Sequence, residues 1–256
     1  MGRSNDYQEK YKKAKSLYQQ GEYSITQIAK ILQMDRGTLS SNLKKDGIEV
    51  INKQNLTRVD EAVFDVIDTE EKAYWLGFLY ADGYVEENGN AIELTLKLSD
   101  KEHLEKFKKF LKWSGEVKTD DYRARVCFKS QKVKNDLIAL GCHPNKSLTL
   151  TFPTENQVPL ELIRHFIRGY VDGDGSVFIS NNLPRLSILG THDMLDKIVK
   201  NMKWKSNQIR KTKNIYSIEW GGNVALQQIH DIYKDSNIYL DRKYTKYKEL
   251  YDCRGV

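Results

Sequence analysis

The stretch AYWLGFLYADGYV at residues 73–85 and the stretch HFIRGYVDGDGSV at residues 165–177 align with each other without gaps. Their final glycines, Gly83 and Gly175, lie 92 residues apart. Similarity at a fixed separation is typical of a chain that is built from repeated structural units. The two stretches therefore predict two related units, each headed by one copy of the pattern.

The residues that follow each copy predict the same order of elements twice. In the first unit, Ile92, Leu94 and Leu96 alternate with polar residues, as in a strand with one buried face. We predict a hairpin formed by a strand after Gly83 and a strand over 92–98, then a helix at 100–112. A second hairpin that includes the alternating residues 122–129 follows, and a helix at 131–140 closes the unit. In the second unit we predict strands at 176–180, 184–189, 207–211 and 215–220, with helices at 192–203 and 223–233. Each unit is then αββαββα, an α+β fold whose four-stranded antiparallel sheet has helices on one face and a polar, basic opposite face.

Small residues recur at a spacing of four within each copy. These are Gly77 and Ala81 in the first copy, and Gly169 and Gly173 in the second. Residues four apart share one face of a helix, and small side chains there let two helix backbones come close. We therefore expect the two motif helices to pack against each other about a pseudo-twofold axis.

This packing brings two acids to the same end of the helix pair, because Asp82 and Asp174 directly precede the terminal glycines. A carboxylate at a helix C-terminus meets the negative end of the helix dipole, at a cost of about 0.3–1 kcal/mol, and two carboxylates repel each other further. A positive group must offset these charges. Mg²⁺ accepts carboxylate and carbonyl oxygens, and the carbonyls of Ala81 and Gly173 are adjacent, so we predict a Mg²⁺ site here.

WLGFLYADG and IRGYVDGDG resemble the two copies of the LAGLIDADG motif. Over roughly residues 60–256 the chain resembles a single-chain LAGLIDADG homing endonuclease of the phage or intron type. The resemblance implies two sheets that lie along the DNA major groove as a saddle, and a metal-dependent double-strand break in a long asymmetric duplex site. It also implies that Asp82 and Asp174 are the metal-binding acids.

The same resemblance implies that basic residues beyond the fourth strand of each unit assist at the scissile phosphates. The segments GCHPNKS and YLDRKY nominate Lys146 and Lys243 for this role, although ordinary lysines that contact the backbone or solvent would also fit. Asp172 matches a further motif acid, but the first copy has Tyr80 there. Two residues along a helix correspond to about 200° of rotation, so we expect Asp172 to be structural.

The first fifty residues predict a separate helical module. Apolar residues at helical spacing extend from Tyr7 to Leu17, Ser24 begins a capping box with Gln27, and Asp35 has the position of a third N-cap. The pattern resembles a helix-turn-helix of the resolvase or sigma-factor type, and a three-helix bundle with a solvated basic face is the alternative. The outward residues of the last helix, predicted to contact DNA, are Arg36, Thr38, Ser40, Ser41, Asn42, Lys44 and Lys45.

The predicted organisation is a helix-turn-helix domain at 1–50, a linker at 51–69, a first subdomain at 70–158 and a second at 159–256. Outward sheet residues are the candidates for base contacts. They are Arg123, Arg125, Lys129, Arg185, Gln208 and Arg210.

Composition limits the classes of protein to which the chain can belong. It has 256 residues, a net charge of +6 and three scattered cysteines, with no apolar run of the roughly 18 residues that a membrane span needs. We expect a soluble protein of the cytoplasm of a bacterial or phage-infected host cell. The predicted partner is double-stranded DNA, bound by a monomer. A transcription regulator, or a maturase that binds intron RNA, remains an alternative use of the same scaffold.

Overall fold

The computed structural model describes residues 2–20, 23–48, 50 and 58–252. The chain divides into two compact units, Met1–Thr57 and Arg58–Val256. Each unit has its own cluster of buried hydrophobic side chains. Within the described ranges, no helix is both long enough and apolar enough to cross a membrane.

The first unit consists of three helices, α1 (Gly2–Gln20), α2 (Ile25–Ile31) and α3 (Arg36–Lys45). Ser24 and Gln27 form the capping box that their sequence predicts: each side chain accepts the backbone amide of the other, at 3.2 and 2.9 Å. Asp35 caps α3 by accepting the amide of Thr38 at 2.7 Å. The buried core is Ala14, Tyr18, Ile25, Ile28, Ala29, Leu39 and Leu43. Residues 51–57 of the predicted linker lie outside the described residues, as does residue 49 of the predicted first domain.

The second unit contains the two repeats. The elements of the first repeat are α4 (Glu70–Asp82), β1 (Gly83–Val85), β2 (Ala91–Lys97), α5 (Lys101–Phe110), β3 (Lys118–Thr119), β4 (Arg123–Lys129) and α6 (Gln131–Ala139). Those of the second are α7 (Ile163–Asp174), β5 (Gly175–Ser180), β6 (Leu183–Gly190), α8 (His192–Asn201), β7 (Arg210–Thr212), β8 (Ile215–Gly221), α9 (Gly222–Tyr233) and α10 (Asp241–Asp252). The αββαββα order is therefore present twice.

Each repeat forms one antiparallel sheet, with strand orders β1-β2-β4-β3 and β5-β6-β8-β7. The registers correspond, because Gly83 pairs with Leu94 and Gly175 pairs with Ile188. Leu94 and Ile188 belong to the alternating residues that are buried against the helices. The intervening residues of each strand form the opposite face, which we call the open face. The α+β prediction with two four-stranded sheets is confirmed.

Three parts of the second unit differ from the prediction. Residues 58–69 are not a linker, because Val63, Phe64 and Ile67 are buried in the core and the Arg58 amide donates to Ser114 Oγ at 2.9 Å. The helix α10 was not predicted. Strand β7 begins at Arg210, so Gln208 precedes the strand instead of lying on it.

Candidate active site

Helices α4 and α7 pack with their backbones in direct contact. A Cβ atom on Gly77 would collide with the carbonyl of Phe166, and one on Gly169 would collide with the carbonyl of Tyr74. A Cβ on Gly173 would overlap the Cβ of Ala81. The small residues therefore have the role that their spacing predicts. At Gly77 and Gly169 the two backbones are so close that any larger side chain would push the helices apart.

Each of these helices ends on an acid that is followed by a capping glycine. Asp82 is the last residue of α4 and Asp174 is the last residue of α7, and the amides of Gly83 and Gly175 donate to the carbonyls of Leu79 and Val171. Since the helices pack side by side with Gly173 against Ala81, the two carboxylates lie at the same end of the pair.

Burial, together with a neighbouring negative charge, raises the free energy of the charged form of both carboxylates. Burial, together with the negative charge of Asp82, raises the pKa of Asp174 to about 6. Loss of hydration among the neighbouring protein atoms also raises the pKa of Asp82, although part of its side chain remains accessible to solvent. The site is therefore a pair of accessible carboxylates with excess negative charge, which a cation would stabilise.

Two buried lysines lie at the same ends of the helices. Lys146 is 7% exposed and donates to the carbonyl of Gly83, directly after Asp82. Lys243 is 3% exposed and donates to the carbonyls of Val171, Asp172 and Gly175 at 2.8, 2.6 and 2.6 Å. Burial lowers the pKa of Lys243 to about 8. Both ammonium groups thus satisfy carbonyls at the negative ends of the helix dipoles and offset part of the acids' charge.

The donor set at this end fits a divalent cation that shares its coordination with other groups. No cluster of three or more His, Cys, Asp or Glu side chains suited to a metal occurs within residues 2–20, 23–48, 50 and 58–252. Mg²⁺ is commonly held by one or two carboxylates, with waters and phosphate oxygens filling the other positions. The raised pKa values of Asp82 and Asp174 favour such an ion, because it would stabilise the ionised carboxylates that burial disfavours.

Asp172 lies on the same helix as Asp174 but is part of the core. It is 1% exposed, and its carboxylate accepts the hydroxyls of Tyr74 (2.8 Å) and Tyr233 (2.6 Å) and the amide of Leu240 (2.8 Å). The Tyr74 hydroxyl has one proton, which it donates to Asp172. It therefore accepts from His103 Nε2 at 3.0 Å. Burial lowers the pKa of His103 to about 3, so that ring is neutral. Asp172 has the structural environment expected for it.

Most of the predicted base-contact residues lie on or beside the open faces. Arg123, Arg125 and Lys129 alternate along β4 and are exposed. Arg210 is exposed on β7, opposite Ser217 of β8. Arg185 is partly buried and pairs with Glu219 at 3.2 Å, and Gln208 accepts from Arg210 Nε at 3.3 Å. Arg125 is likewise paired, with Glu93 at 3.4 Å. Two of the arginines therefore have an acidic partner on their own sheet.

The predicted contact residues of the first unit divide into two sets along α3. The exposed ones are Arg36, Thr38, Ser41, Lys44 and Lys45. Ser40 and Asn42 are partly buried, and Asn42 Nδ2 donates to the Tyr7 hydroxyl at 2.7 Å. Asn42 therefore contacts α1 while it stays partly exposed, and its contact with DNA stays a prediction. Helical spacing alone could not show this, because Asn42 lies at the border between the two faces.

Sequence reasoning missed the residues that hold the lysine-bearing segments. Tyr80 is 2% exposed and donates to the carbonyl of Leu140, and Arg168 is fully buried, with an ion pair to Glu70 at 2.6 Å. A charged Arg168 within the apolar motif pattern was the one available signal, because a buried arginine requires a partner.

No protein-family model and no curated protein sequence matches the chain. Among solved structures, the LAGLIDADG meganuclease I-AabMI bound to uncleaved DNA is similar, with a TM-score of 0.51 and 10% identity over 73% of this chain and 92% of that chain. The LAGLIDADG homing endonuclease I-LtrWI bound to target DNA matches with a TM-score of 0.47 and 13% identity, over 73% and 92% of the two chains. The likeness to I-AabMI concerns the fold: this chain has the mixed α/β fold of a LAGLIDADG meganuclease, with two four-stranded antiparallel sheets.

Proposed function

We propose that the protein is a site-specific DNA endonuclease of the homing type, which makes a double-strand break. The observation that carries this proposal is the convergence of Asp82 and Asp174 at one end of the α4–α7 pair, with a buried lysine beside each acid. The fold shared with I-AabMI, which was solved bound to DNA, supports the same conclusion. The reaction is hydrolysis of one phosphodiester in each strand.

Asp82 and Asp174 would hold divalent cations, with the carbonyls of Ala81 and Gly173 as further ligands, and we propose Mg²⁺ as the ion. Such ions neutralise the charge that develops on a phosphate during hydrolysis and lower the pKa of bound water. The raised pKa of Asp174 supports this assignment, because burial and the negative charge of Asp82 both disfavour the ionised carboxyl that a cation would stabilise.

Lys146 and Lys243 supply fixed positive charge at the reacting phosphates. A preorganised cation stabilises the transition state more than a solvated one, because it needs no reorganisation when charge develops. The Nζ of Lys146 lies at the Gly83 carbonyl and the Nζ of Lys243 lies at the Gly175 carbonyl, so each half carries one ammonium group, and both ammonium groups act on both carboxylates. We therefore assign one lysine to the phosphate of each strand.

The open faces of the two sheets provide the DNA contacts. Arg123, Arg125, Lys129 and Arg210 are the exposed candidates, with Arg185 and Gln208 beside them. The two faces carry different residues at corresponding positions, so a monomer can read an asymmetric site. The exposed side chains of α3 form a basic surface on the first unit, and we propose that this unit binds DNA as a helix-turn-helix.

Cleavage of a DNA library tests the proposal. The full chain is incubated with randomised duplexes in Mg²⁺, and in parallel with EDTA, and cleaved ends are sequenced. We expect one long asymmetric consensus that is cut in both strands in the Mg²⁺ reaction alone. Specific binding without cleavage in Mg²⁺ or Mn²⁺ would contradict the nuclease and favour a regulator. Binding to structured RNA instead of duplex DNA would favour a maturase.

A further inference from the structure

At one position of the repeat the two copies have different residue types, yet in each copy this residue contacts the segment that leads to the lysine. Tyr80 and Asp172 occupy corresponding positions, two residues before Asp82 and Asp174. Both are almost fully buried, at 2% and 1% exposure. Each contacts the backbone of the segment that leads to the lysine of its own half. We call residues 140–146 the first lysine segment and residues 234–243 the second lysine segment.

The first lysine segment is bound to the last turn of α4 at three points. The Tyr80 hydroxyl donates to the Leu140 carbonyl at the start of the segment. The Cys142 thiol donates to the Leu79 carbonyl at 3.5 Å, and Lys146 at the end of the segment donates to the Gly83 carbonyl. The Tyr80 hydroxyl binds the chain where the segment leaves α6, next to the Ala139 carbonyl, which accepts from Gln157 Nε2 at 2.9 Å.

The second lysine segment is bound along one face of α7. Arg164 Nη1 donates to the Lys234 carbonyl at 3.0 Å, and Arg168 Nε donates to the Ile238 carbonyl at 2.8 Å. Asp172 accepts the Leu240 amide at 2.8 Å, three residues before Lys243. These α7 residues follow one another at intervals of four, so one face of α7 contacts the segment at three points. Glu70 of α4 also accepts from Asn237, and Asp100 accepts from Arg242 at 2.9 Å. Among the three α7 side chains, Asp172 makes the contact nearest to the lysine.

We propose that Tyr80 and Asp172 are positioning residues that set the location of the Lys146 and Lys243 ammonium groups, each for one strand of the DNA. This inference rests on the proposed nuclease function and on the assignment of one lysine to each strand. Tyr80 reaches a carbonyl and Asp172 reaches an amide because the two segments approach their helices with different backbone groups. The difference between the copies is therefore an adaptation to two different loops.

The size of the expected effect follows from geometry. A displacement of about 1 Å in a reacting group can cost about 10²-fold in rate. Loss of one contact would shift a segment by less than this, because the other contacts remain. We expect a loss of about 10-fold in the cleavage of one strand.

The test uses supercoiled and end-labelled duplexes that carry the selected site, so that the rate of each strand is measured separately. Lys146→Ala and Lys243→Ala first identify the strand that each lysine serves. Tyr80→Phe, which keeps the ring and removes the hydroxyl, should slow the strand that Lys146→Ala slows, and nicked circles should accumulate. Asp172→Asn should slow the other strand. Affinity for the duplex in Ca²⁺ should change less than 2-fold in both variants.

A double-mutant cycle separates positioning from a general structural role. Tyr80→Phe should have no further effect on that strand in the Lys146→Ala background, because the group that it positions is absent. Tyr247→Phe is the matched control, because it removes a buried hydroxyl whose partner at 3.0 Å is His230 Nδ1. It should leave the ratio of the two strand rates unchanged.

Several results would overturn the inference. It is wrong if Tyr80→Phe slows both strands equally, or slows them by the same factor in the wild-type and Lys146→Ala backgrounds. Should Asp172→Asn fail to fold by circular dichroism, Tyr233→Phe replaces it, because it removes one of the donors to Asp172 and keeps the ring. If the wild-type chain cuts no duplex in Mg²⁺, the proposed function fails first and the inference fails with it.

Discussion

At the scale of single residues, Asp82 and Asp174 define the site. Asp82→Asn and Asp174→Asn keep the size of each side chain and remove one charge. We expect cleavage of the selected duplex in Mg²⁺ to fall by about 10²-fold or more, because a metal ligand contributes several kcal/mol to the transition state. Gel-shift affinity in Ca²⁺ should persist or increase, since less negative charge faces the phosphates. Wild-type cleavage by either variant would refute the two-acid site.

The raised pKa of Asp174 predicts a pH-dependent stability difference. Its folded pKa of about 6 lies above the unfolded value of 3.8, so ionisation destabilises the folded state as pH rises through this window. Asn cannot ionise. In EDTA, the free energy of unfolding of Asp174→Asn should therefore exceed that of wild type by up to about 3 kcal/mol at pH 7. At pH 4 the two values should differ little. Urea titrations at both pH values measure the difference.

Asp193 provides a control of opposite sign for that experiment. Burial acts to raise the pKa of Asp193, but the Phe152 amide and Lys197 outweigh it, so the pKa is lowered. A lowered folded pKa stabilises the protein above the unfolded value. Asp193→Asn should thus lose stability at pH 7 and less at low pH. If both variants show the same trend, the pH dependence of the Asp174 variant does not come from that carboxyl.

At the scale of elements, the contact between α4 and α7 depends on glycine. Gly169→Ala would place a methyl group against the Tyr74 carbonyl, and the cost of overpacking, about 1–3 kcal/mol, exceeds the gain in helix propensity. All four tryptophans lie in the second unit, so their fluorescence in a denaturant titration reports this change. Gly37→Ala in α3 is the control, because its Cβ would approach Asp35 Oδ1 at 3.3 Å only. It should leave the tryptophan transition unchanged.

The sequence predicted the helices and strands correctly wherever neighbouring residues determine them, as at helix caps and in alternating strands. The capping residues Ser24 and Asp35 begin their helices as expected, and alternation along β2 and β4 marks the buried face correctly. Helix α10 was missed because its segment DRKYTKYKELYD is mostly polar. Its burial depends on Tyr247 and Leu250, which pack against other parts of the core. Residues 58–69 were assigned to the linker although they include Val63, Phe64 and Ile67, whose burial likewise depends on contacts with distant parts of the core.

At the scale of the whole molecule, the two compact units suggest separable tasks. Removal of residues 1–57 leaves a unit with its own core, both acids and both sheets. We expect the shortened chain to cleave the selected duplex with the same metal requirement but with weaker binding, measured by gel shift. Unchanged affinity for the full site would show that the first unit does not bind DNA.

The candidate site shows where prediction from sequence stops. The repeat and the terminal acids placed Asp82 and Asp174 together, because a spacing along two similar helices fixes their ends. The contacts that hold the second lysine segment could not be found in this way. Arg168 and Glu70 are 98 residues apart, and Asp172 and Leu240 are 68 residues apart. Only the folded chain brings such pairs together.

The reactivity of the Cys142 thiol can report how often the first lysine segment opens. It is fully buried in the first lysine segment, and burial raises its pKa to about 11, so the closed state contains almost no reactive thiolate at pH 7. Alkylation must therefore wait for the segment to open. The labelling rate at Cys142, followed by peptide mass spectrometry, measures how often the first lysine segment separates from α4. We expect Tyr80→Phe to raise that rate about 10-fold while the labelling of half-buried Cys127 stays constant.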